Sequence, residues 1–131
     1  MLYLLDSLLF GFHTVFTLFN LVGWIWPSTR RAHLVAVLLT FISWFAFGLW
    51  HGWGYCFLTD WHWDVKQALG QRNLPNSFIK YFADWLLGTN ISPALADQIA
   101  VIGLAVAILG IVITQWRSLR RKAIKKQLWL E

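Results

Sequence analysis

The sequence predicts an all-α membrane protein: three transmembrane helices, with one or two short interfacial amphipathic helices between the second and third. Three observations carry this. Of 131 residues, 58% are apolar and 13% are charged, against about 45–50% and about 25% in ordinary soluble domains. A soluble body this small lacks the interior to hide so much apolar side chain, and a disordered chain needs the opposite composition. Ser7–Thr29, Ala32–Thr59 and Gln98–Trp116 contain no Asp, Glu, Lys or Arg, and about 20 apolar residues cross a bilayer core of about 30 Å. The basic residues, finally, gather between the first two stretches and after the third.

The first span is expected near residues 2–26, closed by Trp24, Trp26 and Pro27. Tryptophan suits the membrane interface, and proline cannot continue a helix. The start, MLYLLDSLLF, has no basic n-region and is interrupted by Asp6, so a cleaved signal peptide is not expected. A second span is expected near 33–55, with Gly48 and Gly52 as a small-xxx-small contact.

Residues 56–92 form the outer segment. One short helix is expected from about Trp61 to Leu69. Another follows Asn76, where Phe78, Ile79, Phe82, Trp85 and Leu86 share one helical face and Gly88 stops it. The third span, near 94–116, opens on Ser92 as N-cap and Pro93 as first helical residue, with Asp97 near the positive end of the dipole. Gly103 and Ala107 form its close-packing pair. Residues 1–116 are thus a membrane domain and 117–131 a basic cytoplasmic tail.

Arg30, Arg31, Arg117, Arg120, Arg121, Lys122, Lys125 and Lys126 fall on one side of this topology. The positive-inside rule puts that side in the cytoplasm, with the N-terminus outside. The six basic residues of the tail are expected to lie on anionic lipid. Nucleic acid is not expected as a partner, since topology alone calls for these charges. Trp24, Trp26, Trp53, Trp61, Trp63, Trp116 and Trp129 fall at or beyond span ends and read as interfacial anchors.

Ionisable groups within spans are functional candidates. In an antiparallel hairpin of the first two spans, Asp6 comes level with His51, so the two are expected to pair as carboxylate and imidazole. His13 lies seven residues from Asp6 on the same face. His33 falls at the cytoplasmic edge and reads as an interfacial residue beside Arg30 and Arg31. A bis-histidine haem b would need His13 with His51. The stretch HGWGYCFLTDWHWD adds Cys56, Thr59, Asp60, His62 and Asp64. Thiolate, imidazole and carboxylate together can bind a metal ion, but the spacing fits no compact ligand motif. The favoured reading is an aromatic-anchored turn with Asp60 as helix cap. Cys56 is the sole cysteine, so no internal disulfide forms.

Asp6, His13, His33, the Gly54-Tyr55-Cys56 and Leu58-Thr59 stretch, and Phe78, Ile79 and Tyr81 resemble a family of small bacterial membrane proteins named domain of unknown function 2784. The likeness covers most of residues 2–115 and leaves out the basic tail. Where the family pattern has Pro after Cys, this chain has Phe57. The resemblance implies a multi-pass protein of the bacterial inner membrane and supplies no activity.

Three functional expectations follow. The first is an accessory or interaction subunit of a membrane complex, with the bilayer and other membrane subunits or further copies of itself as partners. The second is a haem- or metal-binding redox protein. The third is a protein that handles protons, quinones or lipids through Asp6, His13 and His51.

Overall fold

The computed structural model describes residues 1–128, all of the assigned elements being helical. Trp129, one of the expected anchors, lies outside the described residues. α1 runs Leu2–Val22. α2 (Arg30–Phe41), a π-helical segment (Ile42–Phe47) and the single turn α3 (Gly48–His51) form a continuous second rod. α4 (Phe57–Ala68) and α5 (Phe78–Leu87) occupy the outer segment, and α6 covers Pro93–Leu128. Three helices, Leu2–Val22, Arg30–His51 and Pro93–Gln127, are long and apolar enough to cross a membrane.

α1 is the hub and packs on α2, α4 and α6. α6 presents it a seam of small residues. Ala96, Ala100, Gly103, Ala107, Gly110 and Thr114 recur at alternating steps of four and three, and Ala96 and Ala107 are wholly buried. A Cβ at Gly103 would come within 3.1 Å of Leu21, and one at Gly110 within 2.5 Å of the Trp24 ring. From Leu21 near the end of α1 to Trp24 just past it, the contacts advance from Gly103 to Gly110, so α1 and α6 run parallel. Close approach of backbones over small residues is the usual way helices associate where lipid removes the hydrophobic drive. Trp24 therefore works as a packing residue, its indole N–H capping the Leu21 carbonyl at 2.8 Å.

Several expected boundaries shift. α1 stops at Val22, and Thr29 closes the turn by donating to the Gly23 carbonyl at 2.7 Å. Ser77, not Asn76, caps α5, and Gly88 ends it at φ 62°. Ser92 caps α6 as expected, accepting from Leu95 N–H at 3.2 Å. α6 then continues without a break through the basic residues. Its 36 residues span about 54 Å, well beyond a bilayer core, so residues 117–128 continue the helix of the third span.

The largest departure lies after the second rod. Gly52 and Gly54 adopt φ 102° and 82°, a region open mainly to glycine, and turn the chain back down. Gly52 is thus a turn residue with open space around it, and only Gly48 meets backbone, that of Trp53. The returning strand comes level with Ser43, whose hydroxyl donates to the Tyr55 carbonyl at 3.0 Å and accepts from Phe57 N–H at 3.2 Å. α4 then climbs alongside α1. Ser43→Ala should cost about 1 kcal/mol, because it leaves the part-buried Tyr55 carbonyl and Phe57 N–H without their partner. Phe57→Pro, which has no N–H to lose and suits the first helical position, should make the same serine substitution cheaper. Thermal unfolding of the two single variants and the double variant in detergent measures the coupling.

Candidate functional site

The descent and return of the chain decide which polar groups meet. Cys56, the extended residue before α4, has no capping role for its side chain, and its Sγ lies 3.8 Å from His13 Nε2. Six residues on, His62 comes level with Asp6. His62 Nε2 and Lys66 Nζ approach the same Asp6 oxygen, at 2.8 and 2.9 Å. The expected Asp6–His51 pair is therefore replaced. His51 is exposed and stacks on Tyr55 at 4.5 Å, while α4 packs on α1 and supplies the partners of Asp6. Asp60 caps nothing: it sits in the first turn of α4 and accepts from the Tyr55 hydroxyl at 2.8 Å. That bond, with some burial, pushes the Tyr55 phenol up to about 12.

Lys66 is buried almost completely, and its ammonium also lies 4.8 Å over the Tyr81 ring. Burial alone would lower its pKa, but the Tyr81 side chain and the Asp6 carboxylate outweigh it and leave the ammonium above the ordinary lysine value. His62 is wholly buried, and burial holds it below the usual histidine value despite the Asp6 hydrogen bond. Neutral His62 thus donates from Nε2 to Asp6, while Asp6 and Lys66 make the ion pair. Lys66 was not singled out from sequence. Its spacing of four from His62 was the available signal, since both then lie on one face of α4.

His13 is held between Cys56 and Phe78, whose ring stacks on the imidazole at 3.7 Å between centroids and 9° between planes. Phe10 adds an aromatic layer with Phe78, Tyr81, Phe82 and Trp85. Trp63, expected at the interface, is buried here, its indole N–H donating to Pro75 O at 2.6 Å. At the base of α5, Lys80 Nζ ties Asp84, Asn90 and the Ile91 carbonyl at 2.6–2.7 Å and fixes the start of α6. His33, expected at the interface, is fully buried. Its Nε2 meets the Asn20 carbonyl at 2.8 Å, and a side chain at Gly23 would strike its ring.

Below His13 lies a cavity of about 330 Å³ between α1, the second rod and α6. Phe16, Trp44, Trp53 and Phe78 supply aromatic wall, and His13, Thr17, Asn20, Thr40, Cys56 and Thr59 supply polar groups. The π segment sets Trp44 in this wall; single π turns often mark functional sites. His13 Nδ1 and Asn20 Oδ1 are buried and have no hydrogen-bond partner. Among the described residues no three His, Cys, Asp or Glu side chains are placed to hold a metal ion; His13 and Cys56 are two donors, with His62 turned to Asp6. His13 and His51, the pair that a bis-histidine haem would need, are engaged by different partners.

Fold and site together define a multi-pass, all-helical membrane protein with a small, mixed polar and aromatic cavity among its spans. The chain belongs to the family described as Protein of Unknown function (DUF2784), which it matches over residues 3–119. No curated protein and no solved structure matches it.

Proposed function

We propose that this chain binds a small amphipathic molecule of the membrane, of the lipid or quinone class, in the cavity beneath His13. The observation that carries this is the cavity itself: largely apolar walls with a few convergent polar groups, two of them buried without partners, which is how small-molecule sites are built. The ion cluster of Asp6, His62 and Lys66 then serves to pin α4 and hold Cys56 and Thr59 at the cavity wall.

The charge pattern supports a placement in a bacterial inner membrane with the N-terminus outside. Arg30, Arg31 and the basic end of α6 lie at the same end of the parallel α1 and α6, and that end suits the anionic cytoplasmic leaflet. A second reading, an accessory subunit, draws on the open flanks of the spans: at most 28% of any span's most apolar window is buried within the chain, which leaves room for further helices.

Purification in mild detergent followed by native mass spectrometry tests the first reading. The expected result is a stoichiometric small amphipathic molecule on the wild-type chain, lost from Ala100→Phe, which fills the cavity from α6. A chain that carries nothing, or carries the same molecule after the cavity is filled, overturns it. Co-purification of a second protein in fixed ratio would favour the accessory reading.

A further inference from the structure

We infer that the molecule held in the cavity carries an uncharged head with a free hydroxyl, which donates to Asn20 Oδ1. This rests on the cavity reading above. Asn20 and His13 lie seven residues apart on α1, two turns along one face, with Thr17 between them. All three line the cavity.

The Asn20 amide is oriented by its own helix. Its Nδ2 donates to the Phe16 carbonyl at 3.0 Å, and the backbone carbonyl of the same residue is taken by His33. The side-chain oxygen is the one polar atom of this residue with no partner at all, and it is buried. A buried acceptor left unpaired is costly, and only a donor satisfies it. A ketone, an ester or an ether brings none; a hydroxyl does.

Charge narrows the class further. The lining contains one carboxylate, Asp97, and no lysine or arginine. A phosphate head would enter with no cation to pair it and one anion to oppose it, and an unpaired charge away from water is strongly disfavoured. Lipids headed by a glycerol hydroxyl and reduced quinones share the required chemistry, an uncharged hydroxyl beside an apolar body. The aromatic walls of Phe16, Trp44 and Trp53 accept either.

The test uses native mass spectrometry on the full chain in detergent with five probes: dioleoylglycerol, its 3-acetyl ester, dioleoyl phosphatidic acid, a decyl hydroquinone and its dimethyl ether. Dioleoylglycerol or the hydroquinone should be retained about fivefold better than its blocked counterpart, the worth of one hydrogen bond, and phosphatidic acid least of all. Which of the two is retained identifies the source. Asn20→Leu should erase the preference for the free hydroxyl while leaving the blocked probe unchanged. The comparison of free with blocked probe on the wild-type chain needs no variant, so a folding defect cannot mask it. Equal retention of free and blocked probes, or better retention of phosphatidic acid, overturns the inference. If those probes are still displaced by Ala100→Phe, the cavity reading survives and the hydroxyl alone is wrong. If no probe is retained, both fall.

Discussion

Asp6→Leu should lower the stability of the chain by about 3–5 kcal/mol, the cost of removing one partner of a buried ion pair. The Asp6 side chain is 19% exposed and Lys66 only 3%, so the charge left behind is the one with no access to water. Lys66 cannot escape by stretching, because α4 is held on both sides. Cys56 and the Ser43 bonds fix its start, and Trp63 is tied to Pro75. The expected outcome is loss of α4 from α1, read as a lowered thermal midpoint in detergent and as new protease cleavage between Phe57 and Ala68. The triple exchange Asp6→Leu, His62→Leu and Lys66→Met should recover most of the loss, since a buried ion cluster replaced by apolar side chains of similar volume is often neutral. Asp6→Leu with Lys66→Met alone still strands the buried His62 Nε2–H and should recover only part. His51→Ala should stay within about 0.5 kcal/mol, as an exposed residue away from the pair. If His51→Ala proves as damaging as Asp6→Leu, the pairing described here is wrong.

That contrast marks where the sequence was readable. The three spans, the Ser92 cap, the Gly88 stop and the amphipathic α5 follow from composition and local punctuation, which act over a few residues. Asp6 and His13 stood out for the same reason, as polar groups in apolar stretches. Their partners did not. Depth matching of the first two spans treats the second as a straight rod that ends the matter, and it selects His51. The return at Gly52 and Gly54 brings a further helix to the same depth, so His62 and Lys66 arrive instead. Nothing local encodes that arrival. The two glycines signal a turn without its direction, and the direction is settled by Ser43, twelve and fourteen residues away from its two partners. Asn20 was legible in principle, as an amide two turns from His13, yet its unpaired oxygen becomes visible only once Phe16 and His33 have taken its other groups. His33 misled in the opposite sense. Two arginines lie two and three residues before it in sequence, while its neighbours in space are Phe19, Gly23 and the Asn20 carbonyl.

Gly110→Leu should approach the loss of Asp6 in damage, at about 3 kcal/mol, by a mechanism of volume and not of charge. A Cβ there would stand 2.5 Å from two atoms of the Trp24 ring and 2.7 Å from a third. A rigid indole cannot yield by rotating its far end, and its N–H is committed to the Leu21 carbonyl. Either the ring leaves, stranding that contact, or α6 moves away from α1 along the seam that Ala107 and Gly103 continue. Overpacking a tight contact costs about 1–3 kcal/mol and sometimes more; the leucine adds three further carbons beyond the Cβ that already clashes, so the upper end is expected. Because α6 also lines the cavity through Ala100 and Gly103, the variant should lose bound small molecule together with stability, whereas Ala100→Phe, at a position that borders the open cavity, should lose the molecule at a smaller cost in stability. A partial rescue by Trp24→Ala in the same chain, measured as the coupling in a thermal double-mutant cycle, would locate the clash at the indole. Additive losses from the two substitutions would instead place the helices further apart than described here.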